Sequence, residues 1–399
     1  MSSGIAEKHG FSSPRLARIT AHMRRYVDKG ILPGIASLVS RNGEIVHQSA
    51  VGWADVAARK PLGADAIYRI YSMSKPITVA ALLTLFEEGR FQLDDEAARY
   101  LPELGRMQVL RGMDGGRPVL SPPSRPMTVR HLLTHTAGLT YGMFGDDTEP
   151  GERMYAESGL LQVDRTLEEM MPLMAELPLL FDPGERWNYS VSIDVLGRLI
   201  EVLSGEPFDA FLRERVFEPL GMADTGFWVS EDSARLATLY STAPDGRLTP
   251  IESPGGPYDA PRALLSGGGG LVSTIGDYWR FGQMLVNGGV LNGVRVLAPG
   301  TIRLMGSNHL PAHIRYYGSP PHVGYGFGLG VRVLRNPVAA GELCSAGSFG
   351  WSGLATTNAW VDPAAGIVGV IMMQYISPPE TTIPTEIEFR NLTYQALTD

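Results

Sequence analysis

The sequence predicts an α/β protein of the α+β kind. One antiparallel sheet, built from both ends of the chain, is flanked by the terminal helices, and a mostly helical segment is inserted between its two halves. Three observations predict it. Strand patterns and an Asn42-Gly43 hairpin signal come early, at residues 35–48. Helical patterns broken by proline- and glycine-rich loops fill the long middle. Hairpins and a closing helix come last. The expected division is a discontinuous sheet domain of residues 1–70 and 265–399 and a helical domain of residues 71–264, with the active site at their interface.

Each element has its own signal. Residues 14–29 read as the opening helix, with Ser13 to cap it, Pro14 in its first turn, and Leu16, Ile19, Met23 and Tyr26 on its apolar face. Residues 35–39 and 44–48 read as paired strands. A helix begins near Ser72, where Pro76 is tolerated only in a first turn, and Gly89 ends it. Thr128 starts a short helix that stops at Gly138. Residues 140–185 read as an irregular insertion, polar around Gly145-Asp146-Asp147, that could cover a pocket. A helix follows over 193–203. The period-two pattern of 325–334 reads as one strand, and 359–362 and 367–374 form a hairpin about Pro363-Ala364-Ala365-Gly366. Residues 385–397 close the chain as a helix.

Composition narrows the function. The chain has 399 residues, 44% hydrophobic and 19% charged, which permits a large core. A net charge of −8 without a basic run argues against nucleic acid and anionic membranes as partners. The single cysteine, Cys344, forbids an internal disulfide. MSSGIAEKHGFSSPRL carries no apolar signal core, and no stretch of about 18 apolar residues occurs, so a cytoplasmic location is expected. The oligomeric state is not legible.

Of 34 basic residues only Lys8, Lys29, Lys60 and Lys75 are lysine. Arginine holds its proton in a protein, whereas a buried lysine can lose it. Three of the four lysines fall in segments that read as exposed. Lys75 opens a strongly apolar helix, three residues after Ser72, on the same face of its first turn. A serine hydroxyl is a weak nucleophile until a base takes its proton, and a lysine brought to a pKa of roughly 7–8 can be that base. The positive end of the helix favours the oxyanion that follows. Ser-x-x-Lys alone is a weak pattern.

Other segments add specificity. YSMSKPIT, TVRHLLTHTAGL, FDPGERWNYS, LSGGGGLVSTIGDYWRF and WSGLATTNAWVDP occur in an order that resembles the serine β-lactamase and penicillin-binding-protein superfamily. Within it the chain is most similar to the class C β-lactamase-like carboxylesterases, often called family VIII esterases. The resemblance runs from about residue 12 to the end. It implies Ser72 as nucleophile, Lys75 as base and Tyr189 as proton shuttle to the leaving group. It also implies an oxyanion hole formed by the N–H groups of Ser72 and Leu354, with Trp351, Ser352 and Gly353 at the substrate. Neither a cofactor nor a metal is implied. Two departures stand out: Val191 replaces an asparagine, and Trp351 replaces a lysine that supports a substrate carboxylate in β-lactamases and peptidases. An apolar tryptophan wall suits a neutral ester.

Competing signals are weaker. Ala346-Gly347-Ser348-Phe349-Gly350 imitates a nucleophile elbow, but no histidine follows His322. His131 with His135, and His309 with His313, have i, i+4 spacing without the HExxH glutamate or a third ligand, and the first pair reads as support for a helix beside the site. Gly267–Gly270 lacks the residues of a phosphate cradle, and Thr274 and Asp277 read as a capping box. The expectation is a serine carboxylesterase acting on short-chain acyl esters. A β-lactamase or peptidase, an acyltransferase, and a non-catalytic binding protein are the rivals.

Overall fold

The computed structural model describes residues 4–143, 149–229, 234–317, 323–378 and 381–399. The Gly145-Asp146-Asp147 stretch and His322 lie outside the described residues.

An eight-stranded antiparallel sheet draws on both ends of the chain. Its order is Tyr325–Phe327, Arg332–Leu334, Phe349–Gly353, Thr357–Asp362, Ile367–Met372, Gly34–Arg41, Glu44–Asp55 and Lys60–Pro61. The first hairpin turns at Asn42 and Gly43, both at positive φ, as its sequence demands. The central pair joins the chain's two ends, with Ala36 opposite Met372 and Arg41 opposite Ile367.

Strand alternation separates two apolar layers. Ile35, Val39, Ile367 and Ile371 face a cluster shared with Leu16, Ile19 and Met23 of the helix Ser13–Asp28 and Phe389 of the helix Thr385–Tyr394. Ala36, Leu38, Val368 and Val370 face a larger cluster that contains Phe281 and Met284 of the helix Ile275–Val286 and most of the helix Ser74–Glu87. The helix Ser74–Glu87 is buried on all sides and packs against the helix Ser192–Ser204. The terminal helix is also tied by charge. Arg390 donates to Glu342 at 2.8 Å and to Glu386 at 2.8 Å, and Arg332 pairs with Glu386.

Several details differ from expectation. Ser12, not Ser13, holds the cap position of the opening helix, and its side chain makes no capping bond. A 3-10 turn, Tyr71–Met73, precedes the α-helix that starts at Ser74. Residues 325–334 are not one strand but a tight hairpin. Gly330 is at φ +68°, and the turn is pinned by Leu329 N–H to the Met305 carbonyl at 3.0 Å and Gly330 N–H to the Leu133 carbonyl at 2.9 Å. Those tertiary bonds override the alternation. The 140–185 region contains the helices Pro150–Glu157 and Leu167–Glu176. A hairpin of Val109–Asp114 and Arg117–Ser121, turning at Gly115-Gly116, was not foreseen. Thr274 caps the next helix by accepting from Asp277 N–H at 3.1 Å, but Asp277 spends its carboxylate on Asp224 N–H and the Thr225 hydroxyl, so the box is only half formed.

Among the described residues no helix is long and apolar enough to cross a membrane. The sheet packing is tested at Gly369, where an added Cβ would run into the ring of Trp360. Gly369→Ala is expected to cost about 1–3 kcal/mol by overpacking, measured as a fall in the urea midpoint at unchanged slope.

Candidate active site

The helix Ser74–Glu87 presents Lys75 inward because its whole first turn is buried. Ser72 lies just before it in the 3-10 turn, half-buried. Tyr71 has φ +43°, a conformation that costs a non-glycine residue of the order of 1–3 kcal/mol. The strain sits directly before Ser72. Lys75 Nζ lies 3.2 Å from Ser72 Oγ. Tyr189 donates its hydroxyl to Ser72 Oγ at 2.6 Å. Three residues predicted from two separate segments therefore meet at the Ser72 oxygen.

Lys75 is fully buried, and its pKa is pushed down to about 7. Burial is the larger cause, because it penalises the ammonium; the charge of Asp194 pulls the other way. Nζ also donates to the Gly268 carbonyl at 2.6 Å. A neutral amine keeps an N–H for that carbonyl and can turn its lone pair to Ser72. Burial raises the Tyr189 pKa far above its ordinary value, so this phenol stays protonated and able to donate. The Lys75 Nζ sits 4.6 Å from the centre of the Tyr189 ring and 5.1 Å from that of Tyr141.

Two further residues were missed by sequence reasoning. Asp194, on the helix Ser192–Ser204, is completely buried. It accepts from the Ser266 hydroxyl at 2.5 Å, Gly268 N–H at 3.0 Å and the Tyr141 hydroxyl at 3.3 Å. It thereby fixes the peptide whose carbonyl holds Lys75. A Cβ at Gly268 would collide with the Asp194 carboxylate and the Tyr141 hydroxyl, which explains the glycine. The available signal was a carboxylate in the first turn of an otherwise apolar helix, SIDVLGRLI. Gly267–Gly270 is thus no phosphate cradle; it is a wall of the site.

Trp351 is placed differently from the expected substrate wall. It is buried in one cluster with Trp187, Phe327 and Tyr316, meets Phe327 edge-on, and donates its N–H to the Tyr189 oxygen at 3.4 Å. It supports Tyr189 from behind. Ser352 and Gly353 are half-buried at the end of the strand Phe349–Gly353, where Gly353 abuts the Ile70 carbonyl too closely for any side chain. Leu354, 37% exposed, lines a cleft together with Ser72, Tyr71, Tyr141, Gly268 and Arg262. The cleft holds about 170 Å³.

The decoys find other uses. Ser348 donates to the Ser345 carbonyl at 2.7 Å within a turn. His131 accepts from Thr128 N–H at 3.1 Å, completing the cap of the helix Val129–Leu133. His135 is buried against the Tyr189 ring, and its Nδ1 is 3.1 Å from Ser190 Oγ. His309 contacts Arg130 and the Leu304 carbonyl. Among the described residues no three His, Cys, Asp or Glu side chains gather as a metal site would require.

Comparison with known proteins places this architecture. The beta-lactamase family model matches residues 19–386. The chain belongs to the beta-lactamase family. It is similar to an uncharacterized protein of Mycobacterium tuberculosis, 36% identical over 362 residues, which are 89% of each chain. It is similar to the esterase EstB of Burkholderia gladioli, 31% identical over 395 residues, or 95% of each chain. Among solved structures it resembles EstCE1, described as a hydrolase with promiscuous acyltransferase activity. That match has a TM-score of 0.82 and 28% identity, and it covers 96% of this chain and 99% of that one. The fold predicted from the ordered segments is therefore the one found.

With only four lysines in the chain, side-chain NMR can follow Lys75 directly, assigned by Lys75→Arg. Its amine should titrate near pH 7. Asp194→Asn removes a charge that favours the ammonium, so the midpoint should move lower still.

Proposed function

We propose that this protein is a serine carboxylesterase of the family VIII type, cleaving short-chain acyl esters through an acyl-enzyme on Ser72. The observation that carries this reading is the position of Ser72 Oγ between the Lys75 amine at 3.2 Å and the Tyr189 hydroxyl at 2.6 Å, at the wall of a cleft. EstB, named as an esterase, is similar over nearly the whole chain and supports it.

Neutral Lys75 takes the proton of Ser72 as its oxygen attacks the ester carbonyl. The N–H groups of Ser72 and Leu354 hold the oxyanion. Tyr189 gives its proton to the leaving alkoxide and regains one from Lys75. Water then attacks the acyl-enzyme by the reverse relay and frees the acid. Trp351, through its N–H, keeps the Tyr189 oxygen aimed at Ser72. With tryptophan at 351 and valine at 191, no cation or amide stands where a β-lactamase would use them. The cleft is small, about 170 Å³, which suits a short acyl chain.

Transfer of the acyl group to an alcohol is the second reading, because the same acyl-enzyme serves both and EstCE1 is described with both activities.

The test compares p-nitrophenyl butyrate with nitrocefin. Ser72→Ala should lose at least ~10³-fold in ester turnover and Tyr189→Phe about 10²–10⁴-fold, while Ser348→Ala stays active. Ester turnover that survives Ser72→Ala refutes the site. Fast nitrocefin cleavage refutes the ester preference. Product partition with added short alcohols separates hydrolysis from transfer.

A further inference from the structure

With Trp351 buried behind Tyr189, the argument for a neutral substrate loses its wall. The cleft carries a cation of its own. Arg262 lines it together with Ser72 and Leu354. One Arg262 nitrogen, Nη2, donates to the Gly255 carbonyl. The other two, Nε and Nη1, are buried without a hydrogen-bond partner among the described residues. Its guanidinium lies 4.6 Å from the centre of the Tyr258 ring, and Arg69 approaches the same ring at 5.5 Å. Arg69 bonds to the Ala237 carbonyl and to Gln374, and its Nε also lacks a partner. Among the described residues neither arginine forms an ion pair, whereas many of the chain's other arginines do.

Two guanidinium groups flanking one ring, both short of acceptors, are costly unless something completes them. A carboxylate is the natural complement of that planar fork. Asp194 does not supply it, because its oxygens are spent on Ser266, Gly268 and Tyr141.

The geometry also assigns the side of the substrate. Leu354 and Ser72 line this cleft and Tyr189 does not. The leaving alcohol must meet Tyr189, so the cleft receives the acyl chain. We propose that the substrates are esters whose short acyl chain ends in a carboxylate, that is, monoesters of short dicarboxylic acids, and that Arg262 binds that carboxylate. This rests on the esterase reading given above. Arg262 touches no reacting atom; it sets specificity.

The experiment measures kcat/KM for mono-p-nitrophenyl glutarate and for p-nitrophenyl butyrate, in wild type, Arg262→Leu and Arg262→Lys. Wild type should favour the charged ester at least tenfold. In Arg262→Leu the charged-to-neutral ratio should fall at least tenfold, chiefly through KM, and Arg262→Lys should restore part of it. A wild-type ratio of one or less overturns the proposal, whatever the variants do. Equal losses on both esters in Arg262→Leu also overturn it, since they would mark a merely structural arginine stacked on Tyr258. Good turnover of butyrate with poor turnover of glutarate sinks the carboxylate alone and leaves the esterase reading standing. No turnover of either ester removes both.

Discussion

The amine of Lys75 is buried to the last atom and is held by two oxygens that carry no charge, the Ser72 hydroxyl and the Gly268 carbonyl. An ammonium there would give up most of its hydration for contacts that repay little of it. The environment therefore favours the neutral amine near pH 7, and a neutral amine beside a serine hydroxyl is a base in place. Much of the surrounding structure serves this one contact. The apolar helix removes water. The Gly268 carbonyl takes one N–H and leaves the lone pair for Ser72. Asp194 clamps the Gly268 peptide, and its charge stops the amine from falling too far to recover a proton.

Such a site needs a rigid frame, because a displacement of 1 Å would break the relay. The frame is the central sheet with helices on both faces. Gly353, at the end of one strand, presses on the carbonyl of Ile70 two residues before Ser72, so the sheet touches the turn that carries the serine. From the other side Tyr189 is wedged by Trp187, His135 and Trp351, and Phe327 backs Trp351 edge-on. Aromatic rings of fixed shape hold its hydroxyl without charges that would disturb Lys75. Trp351 is thus a support behind the Tyr189 phenol. Arg262 lines another wall of the cleft.

Local chemistry made much of this legible in the chain itself. Pro76, the i, i+3 spacing and the scarcity of lysine pointed to Ser72 and Lys75, because each is a rule that operates within one helical turn. The Asn42-Gly43 turn, the terminal helices and the late hairpin followed from periodicity and turn preference, and the ordered motifs led to the fold. The readings that failed did so where distant contacts outweigh local pattern. Residues 325–334 alternate like a strand, yet bonds to Met305 and Leu133 fold them into a hairpin. Trp351 reads as a wall for the substrate, yet it is buried in an aromatic cluster.

The sequence by itself determined the architecture and pointed to residues whose types suit acyl chemistry, since both readings depend on residue type and on short-range order. Only the tertiary structure decided that Tyr189 lies 2.6 Å from Ser72, that Gly268, itself held by Asp194, holds Lys75, and that Arg262 lines the cleft. These are contacts between residues 74–193 positions apart, together with one cleft whose lining spans residues 71–354. Burial and proximity across such separations arise from packing, and no local pattern encodes them.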